Sequence, residues 1–374
     1  MMRHVDEFRD PRAVTALAAA INRIPAPRAR LMEVCGTHTM AIARYGLREL
    51  VAARAELVAG PGCPVCVTAQ GDLDWFLEAA RLPGVVAATF GDMMRVPGSR
   101  STLERERAQG ADVRVVYSPA DAVELARRNP ERQVIFFGVG FETTAPAVAM
   151  SVLEARAKEL TNYRVYCAHK LIPPALRALV EAPDAAAAPG AGAAVNGFIC
   201  PGHVSVIIGS RPYEFVAREH GVPCVIAGFE PVDVLAAVRM LLVQIAEGRA
   251  AVEIEYGRVV APAGNPRARA VVEEVFAVAD ARWRGLGEVP RSGLAFSAAY
   301  AEFDARQRFQ VTPAPAVEPA GCRCGEVLRG VILPAECALF GGQCTPRSPV
   351  GACMVSSEGA CAAHYRYRRS GSPT

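Results

Sequence analysis

Residues 56–66 read Glu56-Leu57-Val58-Ala59-Gly60-Pro61-Gly62-Cys63-Pro64-Val65-Cys66. A short apolar run ends at a Gly-Pro-Gly turn, and a helical pattern over 70–81 follows it. The same order of apolar run, turn and amphipathic helix continues in both directions. Strands are predicted over 30–35, 56–59, 85–90, 113–117, 134–139, 163–167, 197–200 and 224–227. Helical patterns between them cover 70–81, 120–128, 143–160, 174–182 and 231–247. Apolar strands separated by helices imply α/β architecture, with parallel sheets covered on both faces. An opening helix is predicted over 11–23, with Asp10 as N-cap and Pro11 at its first position. Ser118 and Asp121 give a capping-box-like start to another helix.

Eight strands are many for one ordinary sheet, so two α/β domains are expected, 30–129 and 130–263, after an N-terminal helical segment, 1–29. The Ala/Gly/Pro stretch 185–194 reads as a flexible loop within the second. From 264 to 374 the pattern changes. A long helix is predicted over 266–283, then a tail rich in Gly, Pro and Cys, without the periodicity that apolar burial needs. Such a tail requires another cross-link.

With 51% hydrophobic and 21% charged residues the chain is globular. Its net charge of +3 is spread among acids, which argues against a nucleic-acid binder. Arg366, Arg368 and Arg369 form a short basic tail that reads as solvated surface. Residues 1–11 carry His4, Asp6, Glu7, Arg9 and Asp10 where a signal peptide needs apolar side chains. The stretch 232–246 is broken by Asp233, Arg239 and Gln244 and is too short to span a bilayer. A cytoplasmic protein is therefore expected. Twelve cysteines in a reducing compartment point to metal binding or thiol chemistry rather than structural disulfides.

Six of the twelve fall in the tail: Cys322, Cys324, Cys337, Cys344, Cys353 and Cys361. Thiolates among glycines suit zinc, copper(I) or an iron-sulfur cluster. Zinc sites usually show close C-x2-C pairs. The wide spacing here favours iron-sulfur, with zinc still open and the choice of four ligands undecided. The second constellation is Cys63-Pro64-Val65-Cys66 at a strand-to-helix turn, the arrangement of a redox dithiol, where the helix N-terminus favours thiolate. The third, Cys35-Gly36-Thr37-His38-Thr39, occupies an equivalent turn. Ligands of open α/β sheets bind beyond the carboxyl ends of the strands, so Cys35, Cys63 and Cys66 are expected on one edge. His38 either tunes a thiolate or caps its own helix.

Two more loops occupy such positions. Phe90-Gly91-Asp92-Met93-Met94-Arg95-Val96-Pro97-Gly98 offers an acid and a base. Gly138-Val139-Gly140-Phe141-Glu142-Thr143-Thr144 lacks the Lys-Ser/Thr of a phosphate loop and the third glycine of a dinucleotide fingerprint. Cys167, Cys200 and Cys224 read as small buried side chains, with Cys200-Pro201-Gly202-His203 the least settled.

Taken together, the CGTHT, GPGCPVC and GFETT segments and the cysteine tail resemble the HypD hydrogenase maturation family over nearly the whole chain. The family's C-x14-C-x6-C-x16-C pattern falls on Cys322, Cys337, Cys344 and Cys361. The resemblance implies that these four hold a [4Fe-4S] cluster, leaving Cys324 and Cys353 as non-ligands. It implies two related α/β domains and a cluster-bearing C-terminal part. It also implies that Cys35 holds an iron under assembly, gaining two cyanides and a carbon monoxide, and that Cys63 and Cys66 are a redox pair. The implied partners are a HypC-type small chaperone, a HypE-type cyanide donor and, indirectly, the hydrogenase large subunit. The competing reading, from another class, is an iron-sulfur thiol-disulfide oxidoreductase acting on a soluble substrate through Cys63 and Cys66.

Overall fold

The computed structural model describes residues 6–182 and 195–367. The loop expected over 185–194 lies outside them, as do Arg368 and Arg369. Two all-parallel sheets form the body. The first runs in the order β2 (Ala55–Ala59), β1 (Ala29–Glu33), β7 (Gly197–Pro201), β8 (Cys224–Ala227), β9 (Val252–Ile254). The second runs β4 (Val113–Val115), β3 (Val85–Thr89), β5 (Gln133–Gly138), β6 (Tyr163–Cys167). All eight predicted strands form, within a residue or two of the expected bounds. The parallel-sheet reading therefore holds.

The expected split near residues 129–130 does not match the sheets. It separates β3 from β5, which are hydrogen-bonded neighbours. The chain starts one sheet with β1 and β2, leaves to build the whole of the other, and returns for β7 to β9. A parallel strand carries no mark of its partner, because every connection is a crossover of similar length and composition.

Side-chain alternation then assigns the faces. Leu31, Leu57, Ile199 and Val225 pack one face of the first sheet under Ile21 and Leu241, which come from helices Pro11–Asn22 and Pro231–Ala246. Met32, Val58, Phe198 and Ile226 face the other way. They join Ala87, Ile135 and Phe137 of the second sheet in a shared central core that also takes in Val327, Leu328 and Met354 of the tail. The outer face of the second sheet holds Val86, Phe136 and Val165. Local signals place the helices: the Asp10 carboxylate accepts from the Arg12 N–H at 2.9 Å, and the Ser118/Asp121 capping box closes.

The long helix expected over 266–283 is shorter. It runs Pro266–Val275 and gives way to an antiparallel hairpin, β10 (Phe276–Trp283) and β11 (Gly287–Phe296). Phe276 and Trp283 are buried at the two ends of β10, and residues between them alternate outward. The hairpin ties regions together. Arg284 donates its N–H to the Val67 carbonyl and Leu171 donates to Ser292, at 2.9 and 2.8 Å.

Candidate thiol and metal centre

Each sheet has a point where its strand order reverses, and at that point the carboxyl ends of adjacent strands open a crevice. In the first sheet it lies between β1 and β7, followed by Cys35 and by Gly202-His203 respectively. In the second it lies between β3 and β5, followed by the Gly91-Asp92 loop and by the Phe141-Glu142 loop. The Cys35, Asp92 and Glu142 motifs therefore stand at the two reversal points, and the Cys63/Cys66 motif follows β2, the edge strand beside β1.

Cys35 caps the helix Gly36–Tyr45 in extended geometry. The Gly60-Pro61-Gly62 turn folds directly onto it: Gly60 donates to the Glu33 carbonyl at 2.7 Å, and Gly36 donates to the Gly62 carbonyl at 2.8 Å. Any side chain on Gly62 would collide with the Cys35 backbone. Cys63 follows immediately and caps the helix Pro64–Val67, its sulfur accepting from the Cys66 N–H at 3.2 Å. Cys63 and Cys66 are joined as a disulfide, with Cα atoms 5.2 Å apart, and both are buried. The expected gathering of Cys35 with this pair on one edge is what the backbone bonds produce.

Burial decides the acid-base state here. The backbone N–H groups of Thr37 and His38 face the Cys35 sulfur, yet burial, reinforced by Glu358, pushes the thiol up to about 12. The expected thiolate at this helix start is therefore not favoured in the protein alone; a cation would have to displace the proton. Glu33 is buried beneath it, its carboxylate accepting from the Thr39 hydroxyl at 2.5 Å and from the Cys35 N–H at 3.2 Å. Desolvation lifts Glu33 to about 8.

His38 takes a structural position. Its Nε2–H donates to the Gly228 carbonyl at 2.8 Å, and its ring stacks on Phe229, which stacks in turn on His203. Burial lowers His38 to about 4, so the ring is neutral at physiological pH. This sandwich links the turns after β1, β7 and β8.

The six tail cysteines meet in one place. Cys322, Cys324, Cys337, Cys344 and Cys361 line a single small cavity, and the buried Cys353 contacts Cys324 and Cys361. Among the described residues no three side chains close on one point as a single ion would need. Gly351 passes so near that a Cβ there would stand 2.5 Å from the Cys322 sulfur and 2.6 Å from that of Cys324. A thiol-rich cradle with a glycine backbone beside it is of the kind that suits a polynuclear iron-sulfur group, whose irons take thiolate ligands and whose sulfurs accept backbone N–H groups.

The tail is seated on the thiol edge. Thr37 donates its hydroxyl to Glu358 at 2.7 Å, Ser356 donates to Asp92 at 2.7 Å, and Arg95 donates to the Pro346 carbonyl at 2.6 Å. The acid and base of the Asp92/Arg95 loop thus anchor the tail. The short 3-10 turn Ala352–Met354, which carries Cys353, packs against the Pro64–Val67 helix. Sequence reasoning did not find Glu33 or Glu358. A lone acid at the end of an apolar strand was the available signal for Glu33; Glu358 carried none. Also missed was the network in which Asp72 accepts from Tyr166 at 2.8 Å, Arg306 at 3.0 Å and the buried Lys170 at 3.2 Å.

Two parallel sheets, a bridged C-x-x-C, a buried lone cysteine and a six-cysteine cradle define a thiol-rich α/β protein with a cysteine-lined C-terminal lobe. Comparison with known proteins names the family. The chain matches the HypD family model, described as "Hydrogenase formation hypA family", over residues 12–368. It is 49% identical to the hydrogenase expression/formation protein HupD of Azotobacter chroococcum, over 98% of this chain and 97% of that one. It is 47% identical to the hydrogenase maturation factor HypD of Cupriavidus necator, over 98% of each. It is 45% identical to that of Escherichia coli, over 98% of this chain and 99% of the relative. The chain belongs to the HypD family of hydrogenase maturation factors. Among the described residues no helix is long and apolar enough to cross a membrane.

Proposed function

We propose that this chain is the scaffold and electron relay on which the Fe(CN)2CO unit of nickel-iron hydrogenases is built. One observation carries the reading: Gly62 lies against the backbone of Cys35, so the turn that bears the dithiol pair is packed on the turn that bears the lone thiol. The iron under assembly is cargo, held by Cys35. Cys322, Cys337, Cys344 and Cys361 hold a [4Fe-4S] cluster, which supplies single electrons at low potential when bound. The Cys63–Cys66 bridge, whose short helix packs against the turn that carries Cys353, takes up two electrons and two protons to become a dithiol and releases them on closing. Glu358 and Thr37 fix the tail over the cargo thiol, and His38 holds the turn through Gly228. A HypC-type chaperone shares the iron, a HypE-type protein donates cyanide, and the product passes to the hydrogenase large subunit in the cytoplasm.

Infrared absorption of the chain purified with its small partner tests this, because cyanide and carbonyl stretch where protein does not absorb. The wild type shows those bands, and Cys35→Ser loses them while keeping fold and cluster absorption. Bands at full strength in Cys35→Ser would place the iron elsewhere.

A further inference from the structure

The turn that joins β10 to β11 carries a buried guanidinium, that of Arg284. Three bonds fix it. The backbone N–H donates to the Val67 carbonyl at 2.9 Å, and the side-chain Nε–H donates to the Thr68 carbonyl at 3.2 Å. Nη1 donates to Glu318 at 2.7 Å. Thr68 also pairs with Trp283, so the cation is held by the segment that ends the Pro64–Val67 helix of the dithiol.

The same turn touches the cysteine cradle. A Cβ on Gly285 would stand 2.8 Å from the Gly325 Cα, next in sequence to Cys324. The charge of Arg284 reaches the Cys322 sulfur, as does the opposite charge of Glu318. Solvent screens the two unequally: the Arg284 side chain is 4% exposed and that of Glu318 59%. Water weakens the field of the carboxylate more than that of the guanidinium. Nη2 of Arg284 is buried with no hydrogen-bond partner among the described residues, so the cation is incompletely compensated.

On the ligand set proposed above, we propose that Arg284 raises the reduction potential of the cluster held by Cys322, Cys337, Cys344 and Cys361. A charge fixed by the dithiol helix thus sets how readily the cradle accepts an electron. Reduction adds one electron from an external one-electron donor and no proton, so the cradle gains one negative charge. A cation fixed nearby in poorly hydrated surroundings stabilises that reduced form. Net charge and solvent exposure are among the levers on cluster potential.

The full chain, reconstituted anaerobically with iron and sulfide, is titrated with dithionite in the presence of redox mediators, and visible absorption gives the midpoint potential. Arg284→Gln keeps a donor for Thr68 but no charge. Its midpoint should fall by on the order of a tenfold change in the equilibrium constant, about 59 mV for one electron. Arg284→Met, also neutral, should fall alike, while Arg284→Lys keeps the charge and should stay near wild type. Wild-type potential in the neutral variants overturns the inference and leaves the ligand assignment standing. So does an equal fall in Arg284→Lys, which would mark a role confined to holding the turn. A wild type that takes up no cluster overturns both. If neither neutral variant folds, Glu318→Gln decides: unmasking the cation should raise the midpoint, and no rise overturns the inference.

Discussion

Thr37 donates its hydroxyl to Glu358 at 2.7 Å across 321 positions of sequence. Beside that bond, a Cβ on Gly36 would stand 2.5 Å from the Glu358 Cβ, so only glycine admits the acid so close to Cys35. The cysteine tail is thus held on the thiol edge by a bond that its own folding must deliver.

That tail depends on its cradle. Val327, Leu328 and Met354 give it on the order of 2 kcal/mol each by burial, while ordering each backbone residue costs about 1–2 kcal/mol. Cys344→Ala should abolish the broad visible absorption of the reconstituted cluster and leave the tail open to protease. Cys353→Ala should keep the absorption. Identical behaviour of the two mutants would defeat the ligand assignment.

The Cys63–Cys66 bridge should be the first to re-form when the fully reduced protein is oxidised in steps. Its partners are three residues apart and fixed by a proline-started helix turn with Cα atoms 5.2 Å apart, whereas Cys167, Cys200 and Cys224 are free thiols with no cysteine close by in sequence. Mass spectrometry of trapped samples reads the order. An earlier bridge elsewhere would remove the case for a relay.

Gly62→Ala should destabilise the protein by about 1–3 kcal/mol, as overpacking does, because the atoms in its way are backbone at Val34 and Cys35. Gly257→Ala, where nothing stands within 4 Å, is the control for added side-chain bulk. Thermal unfolding separates them: the Gly62 variant alone should also lose closure of the neighbouring bridge. Unchanged bridging would mean that the two turns are not coupled.

Glu142 makes stability depend on pH. Burial lifts its carboxyl from 4.5 to about 7, so the native state holds the proton more tightly than the unfolded chain. Its contribution is complete below the unfolded value and is lost as pH rises through about 7. Glu142→Gln keeps an acceptor for Ile172 and cannot ionise. Urea unfolding should find its stability falling less than wild type's between mildly acidic and mildly alkaline pH. Parallel curves would show that the carboxyl does not titrate there.

Local features were legible from the residues. Strand positions followed from unbroken apolar runs, and helix starts from Asp10, Ser118 and the prolines. The site's thiols could be placed on one edge because parallel α/β chains put every strand-to-helix turn on the same side. Pairing was not legible. Nothing in Val85–Thr89 says that it meets Gln133–Gly138 rather than Ala55–Ala59. The hairpin was mistaken for helix because Val275 to Trp283 continues an apolar rhythm compatible with either, and its partner lies beyond a Gly-rich turn. Burial was hidden too: a helix N-terminus suggests thiolate at Cys35, and only the packed structure reveals how dry that sulfur is.

The interleaving of the two sheets orders events during synthesis. As the chain leaves the ribosome, β1 and β2 emerge with Cys35, Cys63 and Cys66, but β1 has no partner on its other side until residue 197 has been made. The second sheet, β3 to β6, is contiguous and can close first. Glu358 and Cys361 arrive near the end. A nascent or truncated chain therefore lacks the packed thiol edge of the finished fold, and on the function proposed above it would have no completed site for iron until the polypeptide is nearly whole.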